Sequence, residues 1–370
     1  MRINFPPTRK GDERKMKITL IDDKPGYGGV SVCIIALANE LVARQHEVTI
    51  IAALKSIYEK RVDYRVQIEE CHFSNIQEVD RMIANLQKSK ADIVNSHADG
   101  NVQIKLLQQK ERNYSLCLTE HLAIYDNLDY IKSQGEYFSL AEEADKIITV
   151  SLAGRRAFQR AGVSERHLFT VYNGVKIRPF YKRNYEKIRF MYAGRLTETK
   201  GIFALLNAVK IVKETYPEIL VDVYGTGRHE EQVKEFLKEQ NLEQNCVLRG
   251  FCDNMEKAYR DHEVVISPSK TESCSFTILE AMNHSCVVMA SDVDGTRELI
   301  YHRISGLLHP FGDAEILAKQ MKEVLEQPEV LEMFAKNAAY EVYTRFSQKT
   351  CIEEYLNCLL DTDIDESPKM

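Results

Sequence analysis

The sequence lacks several features that define whole classes of protein. It contains no apolar run near the roughly 20 residues that a membrane-spanning helix requires. Residues 1–17 are basic and have no apolar core of the kind that a signal peptide needs. The cytoplasm is therefore the expected location, and residues 1–16 are expected to form a flexible leader.

Cysteine and charge exclude further classes. The nine cysteines contain no C-x-x-C pair, so neither a zinc site nor a disulfide framework is indicated. Most are expected to be small core residues, and no metal or other cofactor is predicted. Residues 1–172 carry a net charge of +1 and residues 173–370 carry −7, and this acidic second part argues against a partner made of duplex nucleic acid. The basic start leaves weak peripheral contact with an anionic surface open, at the inner membrane face.

From Lys17 onward, short β-branched runs alternate with segments of helical period. This alternation predicts an α/β fold of parallel sheets covered by helices on both faces. One charged stretch without a period, which contains Pro179, interrupts the alternation and is typical of a linker. The expected parts are domain 17–175, linker 176–187, domain 188–345, a helix over 346–360 that packs back on the first domain, and an acidic tail over 361–370.

Glycines and histidines follow the strands of the first domain. Gly28 and Gly29 stand at a strand-to-helix turn, where backbone approaches a phosphate or sugar closely. The third small residue of a dinucleotide fingerprint is out of register, so a nicotinamide cofactor fits poorly. His97, and then Glu120 with His121, end the next two strands, and ligands in open α/β sheets bind beyond such ends. For His97 taken alone, a structural histidine is the alternative.

Charged residues and glycines follow the strands of the second domain. Arg195 and Lys200 place two cations near a helix N-terminus, which suits a diphosphate, although solvated loop charges are the alternative. Glu272 and Glu280 flank an apolar segment, and we expect the helical Glu280 to have a hydroxyl or N–H partner. Ser273 or Ser275 is the expected helix cap.

Two acidic stretches have the spacing of metal ligands. Asp292 and Asp294 form an Asp-x-Asp pair after a strand, but alternate residues of any extended segment point the same way. The aspartates of 361–365 are most simply a solvated tail.

Together these features resemble the retaining GT-B glycosyltransferases of the group 1 family, the fourth family in the usual sequence classification. The resemblance runs from Lys17 to about Tyr355 and is most specific over 190–310. It implies two Rossmann-like domains that face each other across a donor cleft. The motifs that carry it are Glu272 and Glu280 with seven residues between them, Gly194-Arg195-Leu196 with Lys200-Gly201, Asn173-Gly174-Val175, and Gly28-Gly29.

The resemblance also implies roles for individual residues. Arg195 and Lys200 are expected to hold the donor diphosphate, Glu280 to bind the ribose, Glu272 to contact the transferred sugar, and His97 to meet that sugar from the other domain. The family's His-x-His segment is Asn95-Ser96-His97 here, so only its second histidine is kept. The expected donor-binding set is Gly28, Gly29, Gly194, Gly225, Gly250, Phe251, Ser273, Cys274, Ser275, Phe276, Thr277 and Glu280, with Glu120 and His121 as acceptor residues.

The function that follows is transfer of a sugar from a nucleotide-diphosphate donor to a saccharide or lipid-linked acceptor, with retention of anomeric configuration. We expect a role in cell-surface polysaccharide or glycoconjugate synthesis and chemistry that needs no metal. The alternatives are another GT-B enzyme, such as a sugar-nucleotide epimerase or a phosphorylase, a catalytically silent nucleotide-sugar-binding protein, and a nicotinamide-dependent oxidoreductase.

Overall fold

The computed structural model describes residues 15–121, 131, 133–252 and 254–360. These residues form two compact units. The first holds 15–119 and 140–146, and the second holds the remaining described residues. Most of the expected leader, the acidic tail and the stretch 122–130 after His121 lie outside the described residues.

The first sheet has seven strands in the order β3-β2-β1-β4-β5-β6-β7. Pairing is parallel, with Ile18 opposite both Val48 and Ile93. The strands are β1 (Lys17–Asp22), β2 (Glu47–Ala52), β3 (Gln67–Glu70), β4 (Ile93–Ser96), β5 (Ser115–Glu120), β6 (Lys146–Thr149) and β7 (Leu168–Thr170). The helices over this stretch are α1 (Gly29–Ala43), α2 (Ile76–Ser89), α3 (Gly100–Leu107), α4 (Gly135–Leu140) and α5 (Leu152–Arg160).

The second sheet has six parallel strands in the order β10-β9-β8-β11-β12-β13. The strands are β8 (Phe190–Ala193), β9 (Val221–Tyr224), β10 (Cys246–Gly250), β11 (Val264–Ser267), β12 (Val287–Ser291) and β13 (Leu307–His309). The helices are α6 (Ile202–Lys213), α7 (Glu230–Glu239), α8 (Met255–Asp261), α9 (Phe276–Asn283), α10 (Asp294–Leu299), α11 (Ala314–Glu326), α12 (Glu329–Arg345) and α13 (Gln348–Leu360). Short 3₁₀ helices lie at Lys55–Ile57, Ala141–Glu143, Glu165–His167 and Glu198–Lys200.

Most residues in the strands of the second sheet are apolar because both faces of the sheet are covered. Among the exceptions, Asp222 on β9 and Arg249 on β10 form an ion pair with each other. Ile266 and Met289 belong to a core on one face, whereas their neighbours Val265 and Val288 belong to a core on the other. Successive side chains of a strand point to opposite faces, so a doubly covered strand needs a continuous apolar run. The predicted class, two parallel-sheet α/β domains, is confirmed.

Two helix ends follow from the local sequence. Ser151 is the N-cap of α5, and its hydroxyl accepts a hydrogen bond from the amide of Gly154 at 3.1 Å. Pro328 separates α11 from α12, as expected of a residue that cannot continue a helix. Among the residues described, no helix combines the length and the apolar composition that crossing a membrane requires.

The segment 176–187 has neither helix nor strand, but it is anchored to the second unit by Arg183. The buried guanidinium of this residue donates hydrogen bonds to the carbonyl oxygens of Ser285 at 2.7 Å, Tyr259 at 2.6 Å and His284 at 2.8 Å. These carbonyls lie where α8 and α9 end, so one cation satisfies acceptors that helix geometry leaves unpaired. The sequence predicted only a linker here and gave Arg183 no role.

Candidate active site

Four neighbouring strands of the second sheet end at the same edge. They are β10, β9, β8 and β11, in that order across the sheet. Their following loops carry the glycines and charges that the sequence singled out. Because all four strands run parallel, these loops are brought together beyond the carboxyl end of the sheet, which is where open α/β sheets bind ligands.

Gly225 allows the first three loops to meet. Its amide donates a hydrogen bond to the carbonyl of Gly250 at 2.7 Å, and the amide of Gly194 donates to that of Tyr224 at 3.0 Å. Gly225 has a φ of +119°, and a Cβ atom at this position would overlap the carbonyl oxygen of Gly194. A side chain is excluded here by both backbone strain and space. Gly250 also has a positive φ, of +69°, but open space beside it.

Lys200 and Glu272 form an ion pair at the centre of this edge. The distance from Lys200 Nζ to Glu272 Oε1 is 2.6 Å, and the two side chains are 26% and 11% exposed. Gly201, with a φ of +71°, lies directly against the carbonyl of Pro268 and so brings the loop after β8 to the loop after β11. The pair is thus placed by a backbone contact that only glycine permits.

Arg195 lies in the same loop as Lys200 but in a different environment. Its side chain is exposed and pairs with none of the acidic residues that the structure describes. Its backbone is fixed, because the hydroxyl of the buried Tyr192 donates a hydrogen bond to the Arg195 carbonyl at 2.8 Å. The site therefore has one cation held by a carboxylate and one available to an anion.

The loop that carries Glu272 is held from two sides. Gly295 lies against the carbonyl oxygens of Glu272 and Ser273, where a Cβ atom would not fit. The side-chain amide of Asn173 donates a hydrogen bond to the carbonyl of Cys274 at 2.9 Å. The Asn-Gly-Val motif, known from the sequence only as a turn, thus fixes the loop of the first glutamate.

Ser273, Cys274 and Ser275 are all buried. The Ser273 hydroxyl lies 2.9 Å from that of Ser151, and the Cys274 side chain packs in the core. Ser275 occupies the N-cap position of α9, but its side chain makes no capping hydrogen bond. Ser275 is therefore the N-cap residue, as expected, but it caps the helix without a side-chain hydrogen bond.

Three further residues of the expected donor-binding set follow β10 or begin α9. Phe276 and Thr277 are its first two residues and are partly buried, whereas Phe251, after β10, is 60% exposed. The first turn of a helix presents backbone N–H groups that favour anions.

Glu280 has the partner that its position demands. The carboxylate accepts a hydrogen bond from the hydroxyl of Tyr259, with 3.0 Å between Tyr259 Oη and Glu280 Oε2. Burial raises the pKa of Glu280 above its ordinary value, and the Tyr259 hydrogen bond opposes part of that rise. The expected hydroxyl partner is confirmed, although the sequence did not identify Tyr259 as that partner.

The two carboxylates of the Asp-x-Asp pair after β12 form ion pairs with an arginine of the same chain. Arg297 Nε lies 2.6 Å from Asp292 Oδ1, and Arg297 Nη1 lies 3.4 Å from Asp294 Oδ1. The alternating carboxylates therefore serve an arginine one turn further along the chain.

In the first unit, Gly28 and Gly29 lie after β1. Gly28 is the N-cap residue of α1, which begins at Gly29, so the two glycines lie at a helix N-terminus. The open end of this helix presents backbone amides of the kind that bind phosphate.

His97 follows β4 directly and is buried. Its Nε2 atom lies 2.9 Å from Asn95 Oδ1, and the Asn95 amide group donates to the Thr119 hydroxyl at 2.9 Å. Since the amide group of Asn95 acts as donor, its oxygen accepts the imidazole N–H. Asn95, which stands where the family has its first histidine, therefore orients the second.

Glu120 is the last residue of β5 and His121 follows it, and both belong to the second unit. Glu120 is buried and accepts a hydrogen bond from the hydroxyl of Tyr137 at 2.5 Å, while His121 is partly exposed. The residues that follow, 122–130, lie outside the described part of the chain.

Two α/β domains with parallel sheets, and charged residues after the strands of the second, have the architecture of the GT-B fold. Comparison with known families identifies the family. Residues 175–340 match the model "Glycosyl transferases group 1", and residues 27–178 match "Glycosyltransferase Family 4". The chain belongs to the group 1 glycosyltransferases with the GT-B fold.

Known proteins and structures agree with this assignment. The chain is 22% identical over 249 residues to a poly(ribitol-phosphate) alpha-N-acetylglucosaminyltransferase of Staphylococcus aureus, which covers 66% of the chain and 50% of the relative. It is 24% identical over 184 residues to a poly(glycerol-phosphate) alpha-glucosyltransferase of Bacillus subtilis, which covers 49% and 27%. The chain thus spans half or less of the length of these two relatives.

The fold has a close counterpart among solved structures. The Anabaena protein Alr3699/HepE, crystallised with UDP and glucose, superposes with a TM-score of 0.81 at 19% identity, over 94% of this chain and 100% of that one. The two proteins share a fold over almost their whole lengths.

Proposed function

We propose that this protein is a retaining glycosyltransferase that moves a hexose from a nucleotide-diphosphate donor to a saccharide or lipid-linked acceptor. The observation that carries the proposal is the ion pair between Lys200 and Glu272, which joins the loops after the adjacent parallel strands β8 and β11. Arg195 lies in the first of these loops, and Glu280 lies on α9, the helix that follows the second. Cations, carboxylates and an open helix start suit the three parts of such a donor, which are its diphosphate, sugar and ribose.

Arg195 and Lys200 are assigned to the diphosphate. When the bond between the anomeric carbon and the β-phosphate oxygen breaks, negative charge grows on the leaving diphosphate. Fixed cations and helix amides stabilise this charge most when they are already in place. Arg195 is exposed for that purpose, and Lys200 reaches the same edge through the loop anchored by Gly201.

The carboxylates are assigned to the sugars of the donor. Glu280 accepts hydrogen bonds from ribose hydroxyls, and Glu272 contacts the hexose. His97 is assigned to the transferred sugar, as the resemblance implies. The acceptor hydroxyl attacks the anomeric carbon on the face that the diphosphate leaves, and a leaving phosphate oxygen takes its proton. This scheme keeps the anomeric configuration without a covalent intermediate on the protein.

Relatives support a UDP-hexose as the first donor to test. The Staphylococcus and Bacillus relatives are named as α-glycosyl transferases, and the Anabaena structure holds UDP with glucose. A UDP-α-hexose and an α-linked product share one anomeric configuration, as retention requires. The two named relatives act on polymers, which favours cell-surface polysaccharide or glycoconjugate synthesis. We place the enzyme in the cytoplasm, with peripheral contact at the inner membrane face.

Thermal unfolding with and without nucleotides tests the donor site. UDP, GDP and ADP are each added at saturating concentration, and one of them is expected to raise the melting temperature. Ligand binding to the folded state alone produces such a rise. Arg195→Ala is expected to abolish it, while Arg303→Ala, a remote arginine paired with Glu323, keeps it. An Arg195→Ala protein that responds like wild type would show that the donor site lies elsewhere.

Product analysis then tests the chemistry. The best-binding UDP- or GDP-hexose is incubated with candidate acceptors in the presence of EDTA, and the anomeric coupling of the product is read by proton NMR. Transfer with retained configuration is expected despite chelation. An inverted product, or activity restored only by added divalent metal, would contradict the proposal, and binding without any transfer would favour a silent nucleotide-sugar-binding protein.

A further inference from the structure

Tyr259 is a buried titratable residue to which the reaction scheme gives no task. It lies on α8, its side chain is almost fully buried, and its hydroxyl donates to the carboxylate of Glu280 on α9. Burial and the nearby carboxylate hold the pKa of Tyr259 well above its ordinary value, so the hydroxyl keeps its proton and acts as a donor.

The ring of Tyr259 is fixed as firmly as its hydroxyl. It stacks on the imidazole of His284, with 5.1 Å between ring centroids and 26° between planes. His284 lies just beyond α9, and its Nδ1 is 2.8 Å from the carbonyl oxygen of Glu280. The tyrosine therefore contacts both the side chain of Glu280 and the turn of backbone that follows it.

Arg183 links Tyr259 and His284 through their backbone carbonyls. One of its Nη atoms donates to the backbone carbonyls of both Tyr259 and His284. Since the two stacked residues share this cation, neither helix end can shift without losing a charged hydrogen bond. Such bonds are among the strong ones in proteins. The hydroxyl of Tyr259 is consequently held in one place relative to Glu280.

Only one side of the Glu280 carboxylate is used by this contact. Oε2 accepts from Tyr259, and no hydrogen bond from the described residues reaches Oε1. A carboxylate pinned through one oxygen presents the other in a fixed direction. Preorganised groups of this kind bind a ligand without the entropy cost of being ordered first.

We propose that Tyr259 is a positioning residue for the donor nucleotide, which fixes Glu280 so that its second oxygen accepts a ribose hydroxyl. The inference rests on the proposed role of Glu280 in donor binding. It predicts that the tyrosine hydroxyl affects nucleotide affinity through the ribose alone, although it does not touch the nucleotide itself.

The test compares Tyr259→Phe with wild type in calorimetric titrations of UDP and of its 2′- and 3′-deoxy forms. Tyr259→Phe keeps the ring and is expected to raise the Kd for UDP roughly tenfold, the effect of one lost hydrogen bond to a charged group. KM for the donor rises in proportion, and kcat changes less than about threefold. The penalty disappears for the deoxynucleotide that lacks the hydroxyl bound by Glu280.

Tyr216→Phe is the matched control. Its hydroxyl donates to Glu326 at 3.1 Å in the same unit, away from the strand ends, so its loss should leave the Kd for UDP unchanged. In a Glu280→Gln background, adding Tyr259→Phe should weaken UDP binding by clearly less than it does in wild type.

The outcomes distinguish a failure of this inference from a failure of the proposed function. If Glu280→Gln binds UDP as wild type does, the ribose role of Glu280 fails, and the inference fails with it. If Glu280→Gln loses affinity but Tyr259→Phe does not, only the inference is overturned. Equal losses for UDP and both deoxy forms would show a structural role and would also overturn it. Should Tyr259→Phe unfold, 3-fluorotyrosine at position 259, a stronger donor of the same shape, must tighten or keep UDP binding.

Discussion

Lys200 and Glu272, which stand 72 positions apart in the chain, form an ion pair with 2.6 Å between Nζ and Oε1. The sequence assigned them to separate parts of the donor, the lysine to the diphosphate and the glutamate to the sugar. Their pairing makes the two assignments interdependent. Each charge holds the other in place, and removing either leaves its partner partly buried without compensation.

The first prediction concerns the energy of this pair. Lys200→Met and Glu272→Gln should each lower the free energy of unfolding by about 1–3 kcal/mol. Each substitution leaves one partly buried hydrogen-bonding group without its partner. The double variant should lose clearly less than the sum of the two. Denaturant unfolding of the four proteins gives the coupling energy.

The exposed pair Lys234 and Glu231 is the control for that cycle. Its side chains are 49% and 87% exposed, and its coupling should be under about 1 kcal/mol. Equal coupling in the two pairs would mean that the site pair gains nothing from its partial burial.

The second prediction separates the two glutamates. Glu272→Ala should reduce kcat by roughly a hundred- to a thousand-fold while the protein still binds nucleoside diphosphate, because the lost contact belongs to the transferred sugar. Glu280→Ala should chiefly weaken binding of the nucleotide. Calorimetry with the diphosphate and steady-state kinetics with the full donor distinguish the two effects. Unchanged turnover in both variants would refute the assignments.

More of the fold than of the site could be predicted from the sequence. Periodicity and β-branched runs were sufficient for two parallel sheets, because strands buried on both faces must be apolar throughout. Strand ends also indicated where Arg195 and Glu272 would converge. Pairings across long stretches of chain were not predictable, since Tyr259 reaches Glu280 only after two helices have packed. The role of Arg183 was not predicted, because nothing local distinguishes a buried arginine from a solvated one.

The third prediction tests the backbone contact behind Gly225. Gly225→Ala should lower the free energy of unfolding by about 1–3 kcal/mol or more. A φ of +119° strains an alanine, and the alanine Cβ would overlap the Gly194 carbonyl. Nucleotide binding should fall as well, since the loop of Arg195 has to move. Gly250→Ala, with a φ of +69° and open space, should cost less and spare binding. Thermal melts with and without nucleotide rank the two, and the reverse order would contradict the packing argument.

The fourth prediction concerns the segment 176–187. Arg183→Ala should lower the free energy of unfolding by about 3–5 kcal/mol. The substitution leaves carbonyls at two helix ends without a donor, and it leaves Glu263, 3.8 Å away, without a buried cation. Arg178→Ala, in the same segment, removes a partly exposed pair with Glu256 and should cost less than about 1 kcal/mol. Denaturant unfolding measures both. Similar small losses would mean that the segment is a passive connection.

The fifth prediction follows from the raised pKa of Glu280. A group whose pKa is higher in the folded than in the unfolded state adds stability below its unfolded pKa, and that stability is lost as pH rises through the folded one. Relative to Glu280→Gln, wild type should therefore become more stable as pH falls toward the ordinary value of 4.5. Nucleotide affinity should move the opposite way in the same window, because the ionised carboxylate is the better acceptor for a ribose hydroxyl. Unfolding curves and UDP titrations across this range test both signs together. If affinity in wild type and Glu280→Gln shows the same pH dependence, the carboxylate does not act on the nucleotide.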